Sequence, residues 1–400
     1  MNILVINCGS SSLSFKVYQS NGLDDNEVVI TGKAHNVATR TQAEPVLEWR
    51  AAGETHSRPC GLPTHHAALR EVLALLAQQR IMVDAIGHRF VHGGDVFHAT
   101  TRIDDRSLPG LRLCLPLAPI HNPNSLSVIE TCLEMMPDCA QYAVFDTAFH
   151  STLPPAARAY ALPLKLAERY GLRKYGFHGL SYQYVSQRAA QLLEKPIYNV
   201  KLIMCHLGTG GSSVCAFADG HSLETSMGFS PLAGLVMSTR SGDIDAEVAL
   251  ELVRQGMSAD EVSRVLNYES GLIGLSGYSS NLAEVIAAAE NGNEQCRLAY
   301  EVYTNRLRHY LGAYNWQLGG ADAIVFTDDI GTASWKMREQ VLRSASAMGV
   351  QLDPAANQSA PMDRESRIHM QGSPIKVLVI PTDEERVIFE EVKRLLPVTH

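Results

Sequence analysis

Ile3 to Ile6 is a short apolar, mostly β-branched run without charge. It breaks at Asn7 into Cys8-Gly9-Ser10-Ser11-Ser12, after which Leu13-Ser14-Phe15-Lys16-Val17 alternates apolar and polar. These patterns predict a buried strand, a tight turn of small residues and a half-buried returning strand. The unit recurs near mid-chain, where Leu202–Cys205 runs into His206-Leu207-Gly208-Thr209-Gly210-Gly211-Ser212-Ser213 and leaves through Val214–Phe217. A single Gly/Ser hairpin is common. Two matching ones predict a duplicated α/β fold with a loop in each half whose N–H groups and hydroxyls suit a phosphate, and a cleft between the halves.

The 400 residues suffice for two such domains, and 46% hydrophobic with 19% charged residues describes a globular chain with no disordered bias. We expect residues 1–148 with 384–400 to form an N-terminal domain closed by the C-terminal helix, and residues 149–383 the second. A formal charge of −8, with no basic run, argues against a nucleic-acid surface. The eight cysteines form no CxxC pair, so neither a disulfide framework nor a zinc site is indicated. The N-terminus opens on a strand without a basic leader, and no apolar run approaches the ~18 residues of a membrane span. A cytoplasmic location, away from membranes, is the expectation.

Along the chain, the patterns predict a strand at 28–32, irregular surface strands and loops at 33–63, a helix at 66–78 and a strand at 85–92. A helix from an Asn124 cap to Met135 and a strand at 142–145 follow. Small residues and prolines at 147–160 suggest the domain crossing. Beyond the second hairpin we expect helices near 245–255, 258–266, 282–290 and 294–318. A strand at 323–327, a helix at 334–348, a loop at 353–374, a strand at 376–380 and a helix at 384–396 complete the reading.

Chemistry-bearing residues fall at strand ends beside glycines: Arg89 in GHRFVHGG, His121 in LAPIHNP, Asp146 in VFDTAFH, His178 in YGFHGLSY, Arg240 in MSTRSGDID and Glu384 in PTDEE. Ligands of open α/β sheets bind outside the carboxyl ends of strands. Taken singly, each has an ordinary reading. An arginine at a strand end forms surface ion pairs, His178 suits a core imidazole, Asp146 a turn cap and Glu384 the first turn of a helix.

Together these motifs, with VINCGSSS, HLGTGGS, TSMGF-PL-GL and PTDEE in order, resemble the acetate kinase family over nearly the whole chain. The resemblance implies a two-domain duplicated actin-like, sugar-kinase-like fold and usually a homodimer. It implies a phosphotransferase moving a phosphoryl group between acetyl phosphate or acetate and a donor or acceptor. By resemblance Arg89 and Arg240 bind carboxylate and phosphoryl oxygens, His178 donates to the phosphoryl group with His121 in support, and Asp146 orients the acid or helps hold the metal. Asn7 and Glu384 would surround Mg²⁺. Val91, Ile120, Phe177 and Pro231 would meet the acid's methyl group, favouring acetate, with propionate a possible fit. Ser10, Ser12, Lys16, His206, Gly208, Thr209, Gly210, Asn281, Asp329 and Gly331 fall at the phosphate and nucleotide positions.

Departures from the family pattern cluster on the nucleoside side. Thr209 stands in HLGTG where the family has HLGNG, and Asn281 where an Asp is usual. Phe326-Thr327-Asp328-Asp329-Ile330-Gly331-Thr332-Ala333 stands for FTAGIGEN, with Asp329 in place of a glycine. Ser14 replaces a lysine, with Lys16 two residues on as a partial substitute; Leu180 and Tyr182 replace Thr and His. Adenosine, with about 19 heavy atoms at ~0.3 kcal/mol each, supplies on the order of 6 kcal/mol of binding, which a nucleoside-free donor does without. In these details the chain is similar to the branch that uses pyrophosphate and orthophosphate, with ATP/ADP, the family default, as the alternative. A non-catalytic actin-like binding or sensor protein is the reading from a different class.

Overall fold

The computed structural model describes residues 1–20, 22, 26–39 and 44–396. Residues 40–43, inside the region read as irregular, and 397–400, at the end of the expected first domain, lie outside the description. The chain forms two compact units, Met1–Phe149 with Asp383–His400, and His150–Thr382.

The first unit is built on β1 (Asn2–Cys8), β2 (Ser12–Ser20), β3 (Asn26–His35), β4 (Val46–Ala51), β5 (Glu54–Pro59), β6 (Ala85–Phe90), β7 (Thr101–Arg102) and β8 (Ala140–Phe145), in the order β5-β4-β3-β2-β1-β6-β8-β7. β1 pairs antiparallel with β2, Ile6 opposite Phe15, and parallel with β6. Its apolar run is buried on both faces, as a central strand requires. Leu4 and Ile6 share a core with Leu69, Val72 and Leu76 of helix His65–Gln78. Helix Glu384–Leu395 packs on β1 and β6, with Tyr18 and Phe389 stacked at 4.6 Å.

The second unit carries β9 (Leu202–Gly208), β10 (Gly211–Ala218), β11 (His221–Thr225), β12 (Ala323–Thr327), β13 (Ser366–Arg367) and β14 (Lys376–Val379), in the order β11-β10-β9-β12-β14-β13. Helix Glu294–Gln317 puts Tyr303 and Leu307 into one core with Ile203 and Cys205. The duplication is explicit in the topology. In β3-β2-β1-β6-β8 and in β11-β10-β9-β12-β14 the first three strands are antiparallel neighbours and the last two join parallel.

Several elements differ from the sequence reading. The helix expected from Asn124 starts at Asn122, with Pro123 in its first turn, where the missing N–H costs nothing. The helix expected over 334–348 is Trp335–Leu342 followed by a short 3-10 turn, and the stretch 353–374 holds helix Pro354–Ser359 on an Asp353 cap. Helix Gly179–Leu192 was not expected at all. It starts on left-handed His178 without a side-chain cap, so the usual start signal is missing. Among the described residues no helix is long and apolar enough to cross a membrane.

Candidate functional site

In the first unit, parallel β1, β6 and β8 bring Asn7, Arg89 and Asp146 to one sheet end. Arg89 donates from Nε to Asp146 Oδ1 (3.0 Å) and from Nη2 to Asp146 Oδ2 (2.6 Å), a two-point fork on a carboxylate that is 1% exposed. Arg89 Nη1 donates to Asn7 Oδ1 (3.2 Å) and lies 3.6 Å from Glu384 Oε2. Burial alone would lower the guanidinium pKa, but the charges of Asp146 and Glu384 outweigh it and raise it above the ordinary value. Two carboxylates thus face one guanidinium, leaving excess negative charge beside the amide oxygen of Asn7. Hard oxygen donors in that balance fit Mg²⁺, which takes one or two protein oxygens and fills its shell with water and phosphate.

The Gly9–Ser12 turn closes through Gly9 N–H to Ser12 O (2.9 Å), with Ser10 and Ser11 exposed and His65 Nε2 bonded to Gly9 O (2.9 Å). Lys16, on the same face of β2 as Ser14, is directed at Asp383 Oδ1 (3.3 Å) and Glu385 Oε2 (3.9 Å). His121 immediately precedes helix Asn122–Met135. Val91 is buried near the end of β6 and Ile120 is 46% exposed.

The second unit assembles a different group. His178, at φ +60, bonds through Nδ1 to Ser213 Oγ (2.8 Å), and its ring stacks on that of His206 at 4.0 Å. His206 Nδ1 reaches Ser181 Oγ (2.8 Å) and its Nε2 reaches Asp328 Oδ2 (3.1 Å). Thr209 and Gly210 join β9 to β10, with Gly208 opposite Gly211. Arg240 Nη1 donates to Gly210 O (3.4 Å), and a Cβ on Gly211 would lie 3.1 Å from that nitrogen. Among the described residues Arg240 has no carboxylate partner, and burial lowers its pKa from the usual value. Its charge is therefore uncompensated by acid, which is what an anion-binding guanidinium needs. Phe177 is buried and Pro231 half-buried, both in this unit.

Residues 2–390 match the acetokinase family. The chain belongs to that family. It is 41% identical to an acetate kinase of Bacillus velezensis, over 98% of this chain and 99% of the relative. Among solved structures it is similar to an acetate kinase from Entamoeba histolytica (38% identity, TM-score 0.90, 99% of this chain and all of that one) and to a propionate kinase from Francisella tularensis (34%, TM-score 0.90, with the same coverage).

Against the acetokinase pattern, the two conspicuous departures meet. Asp329 Oδ1 accepts from the Thr209 N–H (2.8 Å) and its Oδ2 from the Thr209 hydroxyl (2.5 Å), clasping the hairpin tip. Asn281, by contrast, caps helix Leu282–Glu290 by accepting from the N–H groups of Ala283 and Glu284. Gly331 is buried, and its carbonyl accepts from Arg338 Nη1 (2.8 Å).

Three participants were not singled out from sequence. Ser213 and Ser181 orient the two stacked imidazoles, and Asp328 binds His206. The signal for Asp328 lay in the acid pair of FTDDIG, of which only Asp329 replaces a glycine. The serines carried none, because their role depends on β10 and helix Gly179–Leu192 reaching the same ring pair.

Proposed function

We propose that the chain catalyses reversible phosphoryl transfer between acetyl phosphate and a phosphate acceptor, with the pyrophosphate/orthophosphate couple preferred over ATP/ADP. The reaction class rests on Arg240, a half-buried guanidinium without a carboxylate partner, set over a glycine hairpin beside His178 in a member of the acetokinase family. Phosphoryl transfer needs positioning and charge neutralisation, and an acetate carboxylate is already a nucleophile, so no strong general base is required. Arg240 and His178 donate to oxygens of the transferring group. Arg89, oriented by Asp146 and already facing two carboxylates, would meet the acid's carboxylate through its remaining N–H groups, with His121 in support.

Magnesium at Asn7 and Glu384 would supply neutralisation of phosphate oxygens. The amide and carboxylate keep their oxygens in place for it through their shared contact with Arg89. Val91, Ile120, Phe177 and Pro231 would contact the acid, and their bulk favours acetate; a relative named propionate kinase keeps propionate as the second acid. The turn with Ser10 and Ser12, and the Gly208–Gly211 loop with His206, would receive phosphates. Lys16 contributes charge at a distance, since acidic residues already hold its ammonium.

The donor preference rests on the Thr209–Asp329 clasp. It puts a carboxylate where the family pattern has a glycine, adding bulk and negative charge to the nucleoside side. The ATP/ADP reading is supported by the curated relatives, which carry the name acetate kinase. A homodimer is favoured by helix Ala246–Arg254, which buries none of its residues and exposes Val248, Leu250 and Val253.

The test is acetyl phosphate consumption with Mg²⁺, supplying ADP in one tube and orthophosphate in another. Turnover with orthophosphate, yielding pyrophosphate, is expected. Turnover with ADP alone overturns the donor assignment, and consumption with neither overturns the reaction class.

A further inference from the structure

We propose that Asp328 is a specificity-determining residue of the second phosphate loop, whose carboxylate accepts a hydrogen bond from a phosphate hydroxyl and so admits a phosphate that carries a proton. The inference rests on the reading of Gly208–Gly211 as the loop that holds the donor's non-transferred phosphate. It adds a positive recognition element, distinct from the bulk that Asp329 puts on the nucleoside side.

Asp328 sits at φ +65, a left-handed conformation that few residues other than glycine, asparagine and aspartate adopt readily. That conformation is anchored. Thr332 Oγ1 donates to Asp328 O (2.9 Å), and Arg338, fully buried, donates to the carbonyls of Gly331 (2.8 Å) and Thr332 (2.7 Å). The result lays the carboxylate against the loop. A Cβ on Gly208 would come 2.0 Å from Asp328 Oδ2, so the glycine is what leaves the carboxylate its place. The same oxygen takes His206 Nε2, and a third of the Asp328 side chain is exposed, whereas that of His206 is 6% exposed.

A carboxylate at this position presents acceptors only. A fully ionised phosphate oxygen approaching it meets like charge, with no proton to share. A phosphate bearing a hydroxyl donates instead, and hydrogen bonds to an ionised acceptor are about twice as strong as neutral ones. When pyrophosphate is the donor, the phosphate left behind is a terminal group that holds a proton near neutral pH. When ATP is the donor, the neighbouring phosphate is internal before transfer, without a hydroxyl, and becomes the terminal phosphate of ADP, which is largely ionised above neutral pH.

The charged and titratable groups of this neighbourhood are His206 on β9, bonded to Asp328, His178 stacked on His206, Tyr182 on helix Gly179–Leu192 edge-on to His206, Asp329 bound to Thr209, Tyr303 on helix Glu294–Gln317 near Asp329, and Arg240 over Gly210. His206 Nε2 bonds to the Asp328 carboxylate.

The experiment measures kcat/KM of the full-length protein for orthophosphate and for ADP, with acetyl phosphate and Mg²⁺, between about pH 5.5 and 8.5. Wild type, D328A and D328N are compared after a thermal melt confirms folding. D328N keeps a side chain suited to the left-handed backbone if D328A does not fold. Orthophosphate keeps at least one hydroxyl across this range, so the wild type should use it throughout, and its preference over ADP should be largest on the alkaline side, where the terminal phosphate of ADP has lost its proton. Both variants should lose that dependence, drop at least tenfold in kcat/KM for orthophosphate, and shift the orthophosphate-to-ADP ratio toward ADP by tenfold or more. If the wild type uses orthophosphate and the variants keep its ratio and pH profile within twofold, the role of Asp328 is overturned while the donor assignment stands. If the wild type turns over only with ADP, the donor assignment and the role of Asp328 fall together.

Discussion

Arg89 and Arg240 differ in what surrounds them, and the difference predicts how each fails when removed. Arg89 is forked onto buried Asp146 and close to Glu384, so Arg89→Ala leaves a buried carboxylate unpaired and should destabilise the first unit by about 3–5 kcal/mol as well as abolish activity. Arg240 has no acid to orphan. Arg240→Ala should therefore leave the thermal midpoint within a few degrees of wild type while kcat falls on the order of 10³-fold, by analogy with transition-state arginines. Calorimetry beside steady-state kinetics separates the two, and near-normal turnover of the Arg240 variant would sink its assignment. At Asp329 the prediction is a gain. Asp329→Gly removes both bonds to Thr209 and restores the family's glycine, so kcat/KM for ADP should rise while that for orthophosphate changes little. An unchanged ADP rate would mean that the clasp does not set the donor.

At the scale of elements, the two hairpins and the strands behind them govern where these side chains stand. β6 runs beneath the terminal helix so closely that a Cβ on Gly87 would meet Ile388 Cγ2 at 2.6 Å and Val392 Cγ2 at 2.9 Å. Gly87→Ala should cost about 1–3 kcal/mol in urea unfolding and lower activity, because the same strand carries Arg89 and the same helix carries Glu384. A variant as stable as wild type would show that the helix gives way at no cost. The strands and hairpins were legible in sequence because buried parallel strands read as uninterrupted apolar runs and their turns as Gly/Ser clusters. Of the strand-end candidates, Arg89 lies on β6 and Asp146 directly after β8, whereas His121, His178 and Glu384 stand at helix starts and Arg240 in a loop. Helix Gly179–Leu192 was not legible. Its first residues serve the site, with Gly179, Leu180 and Tyr182 in place of a cap and an amphipathic start. The meeting of Thr209 with Asp329, and of His206 with Asp328, depends on β12 lying beside β9, a pairing between segments far apart in the chain that no local pattern records.

For the whole molecule, acid sensitivity follows from His88, buried on β6 and bonded to Gln141 Oε1 (2.9 Å), with its pKa lowered to about 4 by burial. The unfolded chain takes up this proton near pH 6.5 and the folded one only near 4. Its contribution is thus fully present above about pH 6.5 and is lost as pH falls toward 4, a change of about 3 kcal/mol. His88→Gln should flatten the stability profile across that window in urea titrations, and an unchanged slope would exclude His88 as its source. Assembly is tested separately: charges at Val248 and Val253 should convert a dimer to a monomer in sedimentation if helix Ala246–Arg254 lies in the interface. ³¹P NMR reads the chemistry and its donor at once. Acetyl phosphate, Mg²⁺, orthophosphate and ADP are mixed with the protein in one tube, so that the two acceptors compete. Growth of the pyrophosphate signal ahead of any ATP is the predicted result; ATP formed with no pyrophosphate would contradict it.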